Sequence, residues 1–143
     1  MKEITMRTKL IYLIVVIIAA LTAYAFMPSN KGGEKELTKS LYKSDIKIID
    51  IRTEPEWKQT GIVKGSYTIT FFDEKGNYDV KDFLSKLNKI VSPQERFGLI
   101  CRTGNRTTTV TKLLKEIGYK NVINLQGGVT KASRNGIPFE PYK

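Results

Sequence analysis

The segment Cys101-Arg102-Thr103-Gly104-Asn105-Arg106 holds the chain's one cysteine between an apolar run and a stretch with helical spacing. A thiol at a strand end, followed by a tight turn into a helix, faces backbone N–H groups and the positive end of the helix dipole. Arg102 and Arg106 add full charges, so the surroundings favour thiolate over thiol and a nucleophile that handles anions. Gly104 supplies the positive φ that the turn needs. A cation is unfavourable in a helix's first turn, so Arg106 at that place argues for an anionic partner. A lone cysteine in an arbitrary chain is more often an inert packing residue. The arginines, the glycine and the helix start argue here for function.

Composition removes many alternatives. The 143 residues include no histidine and one cysteine, so neither a Ser-His-Asp nor a Cys-His triad can form within the chain. A zinc site built on several Cys or His ligands is excluded too, as is an intramolecular disulfide. No metal and no cofactor is expected. The net charge is +10, yet the lysines at 31, 35, 39, 43 and 47 are interleaved with acids. That pattern reads as a solvated basic face rather than a nucleic-acid surface.

Residues 10–27 carry no charge and follow Lys2, Arg7 and Lys9. A positive flank ahead of an apolar run is the layout of a signal peptide, and Ala23-Tyr24-Ala25 has the small-x-small pattern of a cleavage site. A retained membrane anchor is the other reading, since about 20 apolar residues span a bilayer. Either fate carries the rest of the chain across the membrane, to the periplasm or the outer face of the cytoplasmic membrane. The expected organisation is residues 1–27 as leader or anchor, 28–35 as linker and 36–143 as one domain.

The elements that must position the cysteine follow from periodicity. Residues 47–51, 67–72, 97–100 and 121–125 read as strands. Val80, Phe83, Leu84, Leu87 and Ile90 form one helical face, ended near Ser92-Pro93, and Val110, Leu113, Leu114 and Ile117 form another, closed by Gly118. A polar, proline-containing turn is expected after Ile51, and Gln126-Gly127-Gly128 is a turn suited to glycine. The alternation predicts an α/β fold, a mostly parallel sheet with helices on both faces, preceded by an N-terminal hydrophobic helix. Ligands of such sheets bind at the carboxyl ends of the strands, where Cys101 lies. Asp50 and Arg52, at another strand end, read as structural supports, Arg52 pairing with Glu54 or Glu56. Trp57, Phe71 and Phe72 could line a pocket mouth, although core packing is the commoner use of aromatics.

From about residue 45 to 138 the chain resembles a single-domain rhodanese-like sulfurtransferase. Three motifs carry the likeness: Ile49-Asp50-Ile51-Arg52 followed by Glu54, Glu56 and Trp57; Gly61-Ile62-Val63-Lys64-Gly65-Ser66; and Cys101 to Arg106 with Gln126-Gly127-Gly128 downstream. The resemblance implies that Cys101 is the nucleophile and that Arg102, Thr103, Gly104, Asn105 and Arg106 bind substrate. It also implies the six-residue loop of the sulfur-transferring members rather than the longer loop of phosphatase-like relatives. The expected partners are a small anionic sulfur donor such as thiosulfate and an acceptor that is a thiol, cyanide or a protein. A sulfur carrier without turnover is the second reading, and a phosphatase or arsenate reductase the third.

Overall fold

The structure is a computed structural model that describes residues 6–25 and 33–143. Strand β2 (Lys47–Asp50) forms because Ile48 and Ile49 are β-branched and each faces one apolar layer. Strand β5 (Phe97–Ile100) is buried at all four positions, as expected for a central strand covered on both sides. These two pair in parallel, with Ile49 beside Leu99 and Asp50 beside Ile100. Strand β6 (Val122–Gln126) lies on the other side of β5, and β4 (Tyr67–Thr68) on the other side of β2. Strand β1 (Glu34–Glu36) pairs in parallel with β6. Among the described residues the sheet therefore runs β1-β6-β5-β2-β4, all parallel. The last two positions of the expected linker, Glu34 and Lys35, belong to this sheet: edge pairing with β6 draws them into the domain.

Helices cover both faces, as predicted. Helix α4 (Val80–Leu87), capped by the Asp79 side chain accepting from the Asp82 N–H, packs Phe83 and Leu87 with Leu99 on one face. Helix α5 (Asn105–Glu116) adds Val110 and Leu114 to that layer. Helices α2 (Lys39–Tyr42) and α6 (Gly128–Arg134) cover the other face with Leu41, Val129 and Ala132 against Ile100 and Ile123. Each large side chain buried here contributes about 1.5–3 kcal/mol.

Several elements differ from the expectation. The turn expected after Ile51 is helix α3 (Glu54–Thr60), because proline in a helix's first turn gives up no hydrogen bond. The strand expected through Phe72 is paired regularly only at Tyr67 and Thr68, beyond which Phe71 turns into a cluster with Phe72, Tyr78 and Phe83. Helix α4 stops at Leu87, and Ile90 reaches the core from the turn that follows. A small antiparallel pair, β3 (Ile62–Val63) with β7 (Phe139–Glu140), has no counterpart in the sequence reading.

The N-terminal helix α1 (Met6–Ala25) forms as expected. Its large apolar side chains are exposed, from 47% at Ile14 to 67% at Tyr12 along residues 10–21. Among the described residues no helix is long and apolar enough to cross a membrane. The apolar run of the sequence continues to Met27, and residues 26–32 lie outside the described residues.

Candidate active site

Cys101 follows β5 directly, at the carboxyl end of the central strands. Its side chain is 1% exposed and joins the apolar layer beneath α4 and α5. Two polar groups meet its sulfur. The Gly104 N–H donates to Sγ at 3.2 Å, and the Thr107 Oγ1 lies 3.6 Å from it. Gly104 is the N-cap of α5 with φ 104°, a conformation that turns its N–H back toward the cysteine and strains any other residue. One backbone N–H at the mouth of α5 thus donates to the sulfur, a contact of the kind that stabilises a sulfur anion.

The rim of the loop is held from two sides. The carbonyls of Cys101 and Arg102 accept the N–H groups of Val129 and Thr130 at 2.9 and 3.2 Å, which ties the loop to the start of α6. Gly128 makes this approach feasible: a Cβ there would sit 2.3 Å from the Cys101 carbonyl oxygen, at a φ of +55°. The glycine pair after β6 therefore exists to let α6 close on the cysteine loop. From the other side, Arg106 forms two hydrogen bonds with the Glu56 carboxylate, at 2.8 and 2.7 Å. Glu56 also accepts from the Thr53 N–H and hydroxyl at 3.1 and 3.0 Å, so one carboxylate caps α3 and clamps the first turn of α5. The anionic partner that the sequence demands at Arg106 is this internal glutamate.

Arg106 and Thr53 hold Glu56 down at about 2, against an upward pull from burial. Its usual value is about 4.5. A carboxylate depressed on folding stabilises the protein above its unfolded value and loses that contribution as pH falls through the folded one. Glu56→Gln is expected to cost about 1–2 kcal/mol near pH 7, allowing for partial solvent screening. The difference between variant and parent should shrink as pH falls from 5 to 2. Equal differences at pH 7 and pH 2.5 in denaturant titrations would show that the carboxylate charge is not the source.

Beneath the loop, Arg52 does not pair with Glu54 or Glu56. It folds back on Asp50 with Nε–Oδ1 at 3.0 Å and Nη2–Oδ2 at 2.7 Å, both side chains being essentially inaccessible. The same guanidinium donates to the Thr60 hydroxyl and the Gly61 carbonyl, joining the end of β2 to the end of α3. The pairing is therefore not the expected one: Arg52 holds Asp50 and the end of α3 instead.

Arg102, Thr103 and Asn105 are exposed on the rim, and Gly104 is buried. With Arg106 held by Glu56, Arg102 is the loop arginine without an ion pair among the described residues. Its side chain borders a cavity of about 420 Å³ between α3 and α6, shared with Glu56, Gln59, Ser133 and Phe139. Cys101 does not line this cavity, so the cavity meets the nucleophile only through its neighbour. Trp57 is buried against Tyr142 and Phe71 lies in the core, and neither lines the cavity beside Arg102. The sequence does not single out Thr107; it marks Gly128 as a turn glycine without its contact to the cysteine loop, and Glu56 as part of a motif and as a partner for Arg52 rather than Arg106. The Thr53-x-x-Glu56 spacing was a legible capping signal.

Comparison with known proteins agrees with this geometry. Among solved structures, a rhodanese-related protein from Thermoplasma volcanium superposes with a TM-score of 0.56 at 21% identity, covering 76% of this chain and 99% of that one. A rhodanese-like domain from Anabaena gives 0.58 at 17% identity over 75% of this chain and 79% of its own. These show the fold. Among curated proteins, a rhodanese domain-containing protein of Drosophila melanogaster is 33% identical over 87 residues, 58% of this chain and 78% of the relative. A sulfurtransferase of Allochromatium vinosum is 28% identical over 96 residues, 66% of this chain and 78% of the relative. The Rhodanese-like domain model matches residues 34–135, from the edge strand through the cysteine loop to the end of α6. With a parallel sheet delivering one cysteine into the turn at the start of α5, where the Gly104 N–H meets its sulfur, the chain belongs to the rhodanese-like domain family.

Proposed function

We propose that this protein is a sulfurtransferase that carries sulfane sulfur on Cys101, taking it from an anionic donor such as thiosulfate. The observation that carries the reading is the Gly104 N–H aimed at Sγ from the mouth of α5. The Cys101 thiolate attacks the outer sulfur of the donor. The donor's S–S bond breaks, its electron pair leaves with sulfite, and a persulfide anion remains on the enzyme. An acceptor thiolate or cyanide then attacks the outer sulfur, and Cys101 departs again as thiolate. No proton has to move in either step, which suits a chain without histidine. Arg102, exposed and without an ion pair, draws the anionic donor to the rim, with Thr103 and Asn105 beside it. The loop N–H groups hold the persulfide charge.

Intact-mass measurement of the full chain before and after thiosulfate tests this reading. The expected result is a gain of one sulfur that cyanide then removes. Folded protein that takes up no sulfur from thiosulfate, polysulfide or an organic persulfide overturns it. Uptake without multiple turnover on cyanide would favour the carrier reading.

The positive flank and the uncharged run of residues 10–27 support an extracytoplasmic place for the domain, with that run as its export segment. Protease added to spheroplasts, whose cytoplasmic membrane is intact and exposed, is then expected to digest residues 33–143. Full protection, with digestion only after lysis, would put the domain in the cytoplasm.

A further inference from the structure

Asn124 is the anomaly of the core. It sits in the middle of β6, between Ile123 and Leu125, and is 1% exposed. An apolar side chain would be the ordinary choice there, since a buried amide must find partners for both its ends. Only one end is satisfied by a side chain. The Asn124 Nδ2 donates to the Thr108 Oγ1 at 2.9 Å, while its Oδ1 has no hydrogen-bond partner among the described residues. The Thr111 Oγ1, one turn along the helix from Thr108, is buried without a partner among the described residues as well. A position that keeps a polar group at such cost, directly behind a reactive loop, points to a role in that loop.

The connection can be followed atom by atom. The Thr108 Oγ1 that receives Asn124 passes its own proton to the Gly104 carbonyl at 2.8 Å. The same carbonyl accepts from the Thr107 hydroxyl at 3.0 Å and from the Thr108 N–H at 3.1 Å. Its residue's own N–H is the one that donates to the cysteine sulfur. Gly104 has the widest choice of backbone conformation of any residue type, so its orientation is set by what grips it. Three donors converge on its carbonyl, and the one at the solvent-facing edge, Thr108, is steadied from the sheet by Asn124.

We propose that Asn124 is a positioning residue for Cys101, acting through the Thr108 hydroxyl to anchor the Gly104 carbonyl and so hold that residue in the positive-φ conformation in which its N–H points at Sγ. Asn124 touches neither substrate nor sulfur. Its importance for catalysis rests on the sulfur-transfer reading, but its effect on the cysteine does not, because alkylation reports on Sγ without any sulfur donor.

The test compares Asn124→Leu, Thr108→Val, the double variant and Thr108→Ser in the full chain. The rate of Cys101 alkylation by iodoacetamide at fixed pH is read beside the melting temperature. Each of the first two variants is expected to slow alkylation about ten-fold, the order of effect of a displaced catalytic group. The double variant should be no slower than either single one, because both cut the same chain. Thr108→Ser, which keeps the hydroxyl, should restore the parent rate. Unchanged or faster alkylation, additive losses, or losses that track the melting temperature would overturn the proposal. Should Asn124→Leu fail to fold, the Thr108→Val and Thr108→Ser pair decides at a solvent-facing position: rescue by serine supports the proposal and its absence defeats it. A parent that alkylates as expected but takes up no sulfur would defeat the proposed function and leave this inference intact.

Discussion

Cys101→Ser is expected to take up no sulfur from any donor while keeping the parent's fold. Serine preserves shape, and the two polar groups at Sγ, the Gly104 N–H and the Thr107 hydroxyl, can bond an Oγ. The stability cost should therefore stay within about 1–2 kcal/mol. The chemical cost is total, because a hydroxyl without a base is not ionised at neutral pH and cannot carry a sulfane sulfur as a reversible persulfide. Mass spectrometry reads the first effect and thermal unfolding the second. Sulfur retained by the serine variant would remove Cys101 from the reaction. A serine variant that does not fold would make the cysteine a packing residue first, and Cys101→Ala would then show whether any residue of that volume restores the fold.

The largest effect on stability is expected from Arg52→Met. It leaves the Asp50 carboxylate, which is wholly buried, without its bidentate partner. Breaking a buried pair by removing one member typically costs about 3–5 kcal/mol, a large share of the roughly 5–15 kcal/mol that holds a domain together. The variant also loses the bonds to Thr60 and Gly61, which fasten α3 and with it Glu56. A fall in melting temperature of about 15 °C or more is expected. Asp50→Leu combined with Arg52→Met should recover part of it, since two apolar side chains leave no orphaned charge. A loss below about 1 kcal/mol for Arg52→Met alone would show that the pair does not carry the junction.

These two residues mark different depths of legibility. Cys101 was conspicuous in the sequence because its neighbours are unusual for a packing cysteine. Asp50 and Arg52 are visible as a charged pair at a strand end, yet their pairing with each other follows from burial of both on one side of the extended chain, which closes Arg52 off from the exposed Glu54. The face that α5 buries was also misjudged. Val110 and Leu114 lie in the core as their spacing predicts, but Ile117 is 46% exposed and the stripe is completed by Thr107 and Thr111. Threonines on a buried face defeat a reading based on apolar periodicity. One of them, Thr107, places its hydroxyl 3.6 Å from the Cys101 sulfur.

The sequence by itself determined the parallel α/β sheet, the cysteine loop at its carboxyl edge, the glycines that turn around it and the family. Those features are local: periods of two and 3.6 residues, turn chemistry, and six contiguous residues. Only the tertiary structure decided that Arg106 belongs to Glu56, that Gly128 lets α6 reach the loop carbonyls, and that Asn124 stands behind Gly104. Each of these contacts joins elements far apart in the chain. Their partners are chosen by strand order and helix placement, which put α3, β6 and α6 around the end of β5. A charge or amide in the sequence announces that it needs a partner, and the packing of the sheet selects which one it gets.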